Sequence, residues 1–352
     1  MISQRRSFSL PLLPIALLLC ATGIRAQSST KFSPCTQQDT FTSRVRFADA
    51  DRAKQILGRR DSWARQLSAF DFGARMRTEE PQTLDQFLAF ASEAAMGWTP
   101  EEQAMWRPVI DRLNGALHGM NLRIPVVEIL KTSGREEFGA AYTRGNAILF
   151  PQSLANLPSN SSRSAFSLLA HELFHVLSRG DSRMRDTLYA LLGFELLIGF
   201  EFPAELESRR GSNPDAFEYL HAGAIRAGSG QIQAVPLMYS KLSLAEIFRL
   251  PSIFDAFDLT FAAVDMATGR IQRDSEGRPV TYPMSDTNWA SLMARNTSYI
   301  LHPEEVLADN FAILMEWRSE KTLPSANLSG FPVNDPGLLN SMKDVLEAGC
   351  GQ

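Results

Sequence analysis

The stretch Ala165-Phe166-Ser167-Leu168-Leu169-Ala170-His171-Glu172-Leu173-Phe174-His175-Val176-Leu177-Ser178 decides how this chain is read. It is strongly apolar on one side, opens after a helix-start signal at Asn160 to Ser162 and stops at Gly180, so a helix is expected. Within it lies His171-Glu172-x-x-His175. Histidines at i and i+4 share one helical face, so both imidazoles can reach one metal ion. Glu172, beside the first histidine, is placed to take a proton from an attacking water rather than to bind the metal.

Two histidines leave a hydrolytic zinc (Zn2+) site one protein ligand short, since such sites combine three protein ligands with a water. Outward from the motif, Asp181 stands at a ligand spacing, and Glu205 and Glu207 lie in a polar stretch farther along. A fuller candidate is His302-Pro303-Glu304-Glu305-Val306-Leu307-Ala308-Asp309, a helix start that should continue to about Trp317. Glu305 and Asp309 are four apart and share a face. Glu305 can complete the ligand set, and Asp309 can accept the free N–H of a bound histidine and fix its tautomer. Tyr299 and His302, just before this helix, are candidates to stabilise an oxyanion. The remaining histidines, His118 and His221, read as structural or solvent-facing.

On His171-Glu172-x-x-His175 and Glu305-x-x-Ala308-Asp309 the chain resembles the gluzincin metallopeptidases. The resemblance implies an α+β, zincin-like domain with a small mixed sheet, an edge strand that aligns peptide, an active-site helix and a glutamate helix. It implies that His171, His175 and Glu305 bind zinc, that Glu172 is the general base and acid, and that Asp309 supports a zinc-bound histidine. The hairpin at Ala140 to Phe150, turning at Arg144-Gly145-Asn146, suits the edge strand.

The rest of the chain is organised around that centre. Residues 1–26 read as a signal peptide, with Arg5 and Arg6, an apolar run and a small residue, Ala26, at its end. Arg5-Arg6-Ser7-Phe8 also matches a twin-arginine export pattern, so a secreted or periplasmic location is expected. Residues 27–120 read as a mainly helical N-terminal region, with short helices at Asp49 to Leu57, Asp61 to Phe70 and Thr83 to Ala95, and a strongly capped start at Thr99-Pro100-Glu101-Glu102. Residues 121–352 hold the metallopeptidase-like domain, with a strand at Ile124 to Leu130 and a long insertion at about 180–295. Inside that insertion, Leu188 to Phe200 reads as a buried core helix and residues 203–230 as loop.

Composition narrows the classes. With 44% hydrophobic and 21% charged residues the chain is globular, and five His and three Cys exclude a cysteine-rich zinc fold. Signal cleavage leaves 32 Lys+Arg against 39 Asp+Glu and no basic patch, which argues against nucleic acid and anionic membrane surfaces as partners, and no stable membrane insertion is expected once the signal is removed. It also leaves Cys35 and Cys350, one near each end, as an expected single disulfide. The function expected is an exported zinc metallopeptidase acting on a peptide or protein. The alternatives are a non-catalytic zinc-binding or structural protein, or a zinc amidase acting on a non-peptide amide.

Overall fold

The computed structural model describes residues 40–348 apart from 229, 251 and 252. The expected signal peptide and the Cys35–Cys350 pair lie outside the described residues. The architecture is mixed α+β, and all the described residues belong to one compact unit. No helix among them is long and apolar enough to cross a membrane.

Two sheets are present among the described residues. The first contains β1 (Val45–Phe47), β2 (Ala95–Met96), β3 (Val127–Thr132), β4 (Tyr142–Arg144) and β5 (Ala147–Pro151). Its order is β1-β3-β5-β4, with β2 also paired to β3. β1, β3 and β5 run parallel, and β4 returns antiparallel along β5, so β4 is an edge strand. The turn between β4 and β5 places Gly145 at φ 59°, a left-handed position that costs glycine little. The second sheet is antiparallel and contains β6 (Phe194–Leu196), β7 (Arg210–Gly211), β8 (His221–Ala227), β9 (Gly230–Ser240), β10 (Phe257–Ala263) and β11 (Thr281–Pro283), in the order β11-β10-β9-β8-β6 with β7 on β9.

The helices follow their caps. Thr99 and Glu102 form a reciprocal capping box at the head of the helix Pro100–Leu117. Ser161 caps the motif helix Ser162–Gly180, and the His302 side chain accepts the Glu304 N–H to cap the glutamate helix Pro303–Glu320. These three helices pack together over the first sheet in one core. Trp106 stacks on Phe150 at 4.7 Å, Phe174 meets Phe311 at 5.6 Å, and Ala170 and Ala308 are fully buried. Small residues on both helices let their backbones approach, which brings the polar face of one to the polar face of the other.

Three expectations are corrected. The Asp61 to Phe70 stretch holds parts of two helices, Ser62–Gln66 and Ala69–Met76, because Ser68 and Asp71 form a second capping box that starts the chain afresh. Leu188 to Phe200 is no core helix. The helix Ser182–Ala190 ends, Gly193 adopts φ 80°, and the chain continues as β6 against β8. Leu188 and Phe194 are buried while Leu196 is 51% and Ile198 75% exposed, so the apolar run is divided between elements. The expected loop at residues 203–230 instead supplies a helical turn at Ala204–Glu207, β7 and all of β8.

Candidate metal centre

The motif helix sets His171 and His175 side by side, with ring centroids 4.8 Å apart and planes at 81°. The glutamate helix faces them across a buried seam. Glu305 Oε2 lies 3.1 Å from His171 Nε2 and 3.5 Å from His175 Nε2. Each imidazole is held from behind by a second carboxylate: His171 Nδ1 lies 2.9 Å from Asp309 Oδ1, and His175 Nδ1 lies 3.1 Å from Glu304 Oε1. Carboxylates on Nδ1 orient the rings so that both Nε2 atoms point inward. Asp309 is steadied in turn by the Thr297 hydroxyl, and Glu304 accepts from Ser178 Oγ at 2.9 Å and Tyr189 OH at 2.8 Å.

His171, His175 and Glu305 therefore form a group that could hold a metal ion, with ligand atoms within 4.8 Å of one another. Donors about 2.1 Å from a tetrahedral metal stand about 3.4 Å apart, close to the 3.1 and 3.5 Å separations here. His175 Nε2 is buried without a hydrogen-bond partner, as is Glu172 Oε2. Orphaned buried polar atoms are costly, so a missing partner is the economical explanation. Electrostatics agree. Burial opposes charge on both imidazoles, yet Asp309 and Glu305 push His171 up to about 10, and Asp215, Glu305 and Glu304 raise His175 well above its usual value. Burial works against the Glu305 anion as well, and the two histidines still hold it well below the usual carboxylate range. The seam is built to enclose positive charge, whether as protons or as a cation.

Glu172 is one residue on from His171, about 100° around the helix, and faces a segment that sequence reasoning missed. Burial and the Asp215 charge push its carboxyl up to about 8. Glu172, His175 and Asp215 form a second group of ligand atoms within 4.8 Å. Asp215 comes from Asn213-Pro214-Asp215, and Asn213 Nδ2 donates to Glu305 Oε1. Asp215 Oδ1 accepts the backbone N–H of Thr143 on β4 at 2.9 Å and the Thr143 hydroxyl, with Arg179 at 3.9 Å.

This segment is anchored from the N-terminal region. Arg75 binds Glu137 with two bonds at 2.7 and 2.8 Å, Asp71 at 2.7 Å and the Ser212 carbonyl at 2.7 Å. Asp71 in turn accepts the Ser212 N–H and hydroxyl, both at 2.8 Å. The helix Ala69–Met76 thus holds the residue just before Asn213.

The other sequence candidates are placed as follows. Tyr299 lines the cavity with its ring 6.1 Å from His171, and the Glu305 charge holds its phenol well above the usual range, so it remains a donor. His302 caps its helix and lies with Tyr189 and His221 in a separate small pocket. Asp181 caps the helix Ser182–Ala190, Glu205 pairs with Arg273 and Glu207 with Arg210, so none of the three joins the histidines. His221 bonds Asp186 at 2.8 Å, and His118 ends the helix Pro100–Leu117. Glu304 was readable only as a helix-dipole acid; Asn213-Pro214-Asp215 carried no signal beyond a turn.

The group opens onto a cavity of about 760 Å³ lined by His171, Glu172, Asn213, Asp215, Tyr299 and Glu305, with apolar walls from Leu168 and Ile313. Comparison of the chain with protein-family models, with curated proteins and with solved structures finds no match.

Proposed function

We propose that the chain is a zinc-dependent metallopeptidase of the gluzincin type, exported from the cell. The observation that carries this reading is the convergence of two imidazole Nε2 atoms on Glu305 Oε2, each ring held from behind by its own carboxylate, with the unpartnered Glu172 carboxylate alongside. His171, His175 and Glu305 are the residues that would hold the ion. A structural site has no need of Glu172, whose buried carboxylate has no hydrogen-bond partner at Oε2.

Bound there, zinc would polarise a water and the substrate carbonyl. The chain's own residues supply the rest. A cation between the histidines favours the ionised form of Glu172, which then takes a proton from the attacking water and returns it to the leaving nitrogen. Asp309 and Glu304 keep both imidazoles in the tautomer that presents Nε2. Tyr299, at the cavity wall, supplies an O–H toward the developing oxyanion. The edge strand β4 supports a peptide substrate over other amides: the Thr143 N–H, taken by Asp215, shows which way the outward groups point, and alternation turns the main chain of Ala141, a cavity residue, the same way.

Chelation tests the metal dependence. Hydrolysis of a mixed peptide library should stop in 1,10-phenanthroline and return when zinc is restored to one equivalent. Hydrolysis that persists in the chelated, metal-free protein would refute the reading.

A further inference from the structure

The outer edge of β4 does not stay open. The Thr143 N–H, the next outward donor after Ala141, is taken by Asp215. Arg179 then occupies the Thr143 hydroxyl and the Gly145 carbonyl, both at 3.0 Å. A peptide lying extended along this edge can pair at Ala141, but at Thr143 it meets the Asp215 carboxylate. The groove is blind at that end, and a chain terminus must sit there.

The chemistry of the blind end selects which terminus. Asp215 has an 8% exposed side chain, and its Oδ1 is committed to Thr143. No hydrogen bond reaches its Oδ2 among the described residues, and the Glu172 carboxylate beside it is unpartnered at Oε2. Asp215, joined by Glu172 once a cation between the histidines favours its ionised form, repels a carboxylate terminus at this end of the cavity and attracts an ammonium. Arg179 lies 3.9 Å from Oδ1, and Asp215 itself lines the cavity. Distance then sets the length of chain accommodated. The Asp215, Glu172 and His175 ligand atoms lie within 4.8 Å of one another, and an extended residue advances about 3.3 Å. One residue fits between an ammonium on Asp215 and a carbonyl beside Glu172.

Resting on the peptidase reading above, we infer that Asp215 binds the free α-ammonium of the substrate, so that the enzyme is an aminopeptidase that releases one N-terminal residue at a time. Water adds its oxygen to the carbonyl carbon of the first residue. The bond from that carbon to the second residue's nitrogen breaks, and Glu172 carries the water proton to that nitrogen. The products are a free amino acid and a peptide shortened by one.

The test uses the zinc-loaded full chain and one decapeptide in two forms, with a free or an acetylated N-terminus, with products read by mass spectrometry. The free form should lose residues singly from its N-terminus, and acetylation should lower kcat/KM about 100-fold or more. Asp215→Asn keeps a carbonyl for Thr143 but loses the charge. It should lower kcat/KM on the free peptide by about 100-fold, mainly through KM, at unchanged zinc content. Internal cleavage of both forms at similar rates would overturn the inference while leaving the peptidase reading intact, and no cleavage of either by the zinc-loaded chain would overturn both. If Asp215→Asn does not fold, the acetylation comparison on the wild-type chain decides alone.

Discussion

Glu172→Gln should lower kcat on peptides by about 10²–10⁴-fold, the span that general acid–base catalysis contributes, and should leave the zinc content unchanged. The amide is nearly isosteric, so the motif helix and the cavity wall keep their shape, but it cannot accept the water proton. Zinc retention gives the variant its discriminating power. His175 belongs to two possible ligand groups, one with His171 and Glu305 and one with Glu172 and Asp215. If the ion sits in the first, the substitution spares it. Activity within tenfold of wild type, measured by peptide hydrolysis, would remove Glu172 from the chemistry, and loss of zinc would make it a ligand.

Arg75→Ala should be the most destabilising of the substitutions considered. The guanidinium is 3% exposed and binds Glu137, Asp71 and the Ser212 carbonyl. Burial, helped by the Asp71 and Glu136 charges, pushes Glu137 up, and even with Arg75 beside it the carboxyl reaches about 7. Deleting the cation strands two buried carboxylates, a situation that costs about 3–5 kcal/mol. For a chain of this size that corresponds to a melting-temperature loss on the order of 4–8 °C. Arg75→Ala combined with Glu137→Gln should recover part of the loss, because one stranded charge is then neutral. A denaturation midpoint within 1 °C of wild type would contradict the role assigned to this network. The network also links the N-terminal helices to the candidate metal centre, since the Ser212 backbone it grips leads directly into Asn213 and Asp215.

What could be read in advance was local. The i, i+4 spacing of His171 and His175, the i, i+4 spacing of Glu305 and Asp309, and the capping box at Thr99 each depend on residues within one helical turn, and each has the expected geometry. The β4–β5 hairpin was legible for the same reason: its turn chemistry lies between the two strands it joins. The second sheet was not. Pairings such as Phe194 with Gly223 and Phe257 with Ser240 join positions far apart, and short apolar runs do not by themselves distinguish strand from buried helix. Leu188 to Phe200 failed on this point, where Gly193 outweighed an apolar run. Asn213 and Asp215 were invisible because their roles exist only once Arg75 and Asp71, more than 130 positions upstream, close on Ser212. Glu304 was hidden by its position in the first turn of a helix, where an acid has a simpler explanation.

The central claim is that one metal ion sits between His171, His175 and Glu305. It is tested most directly by measuring zinc per chain, by elemental mass spectrometry, in wild type, His171→Ala, Glu305→Gln and Asp215→Asn. One zinc in wild type and in Asp215→Asn, with loss from His171→Ala and Glu305→Gln, is the predicted result. Zinc retained in Glu305→Gln but lost from Asp215→Asn would contradict it, and would place the ion with Glu172, His175 and Asp215 instead.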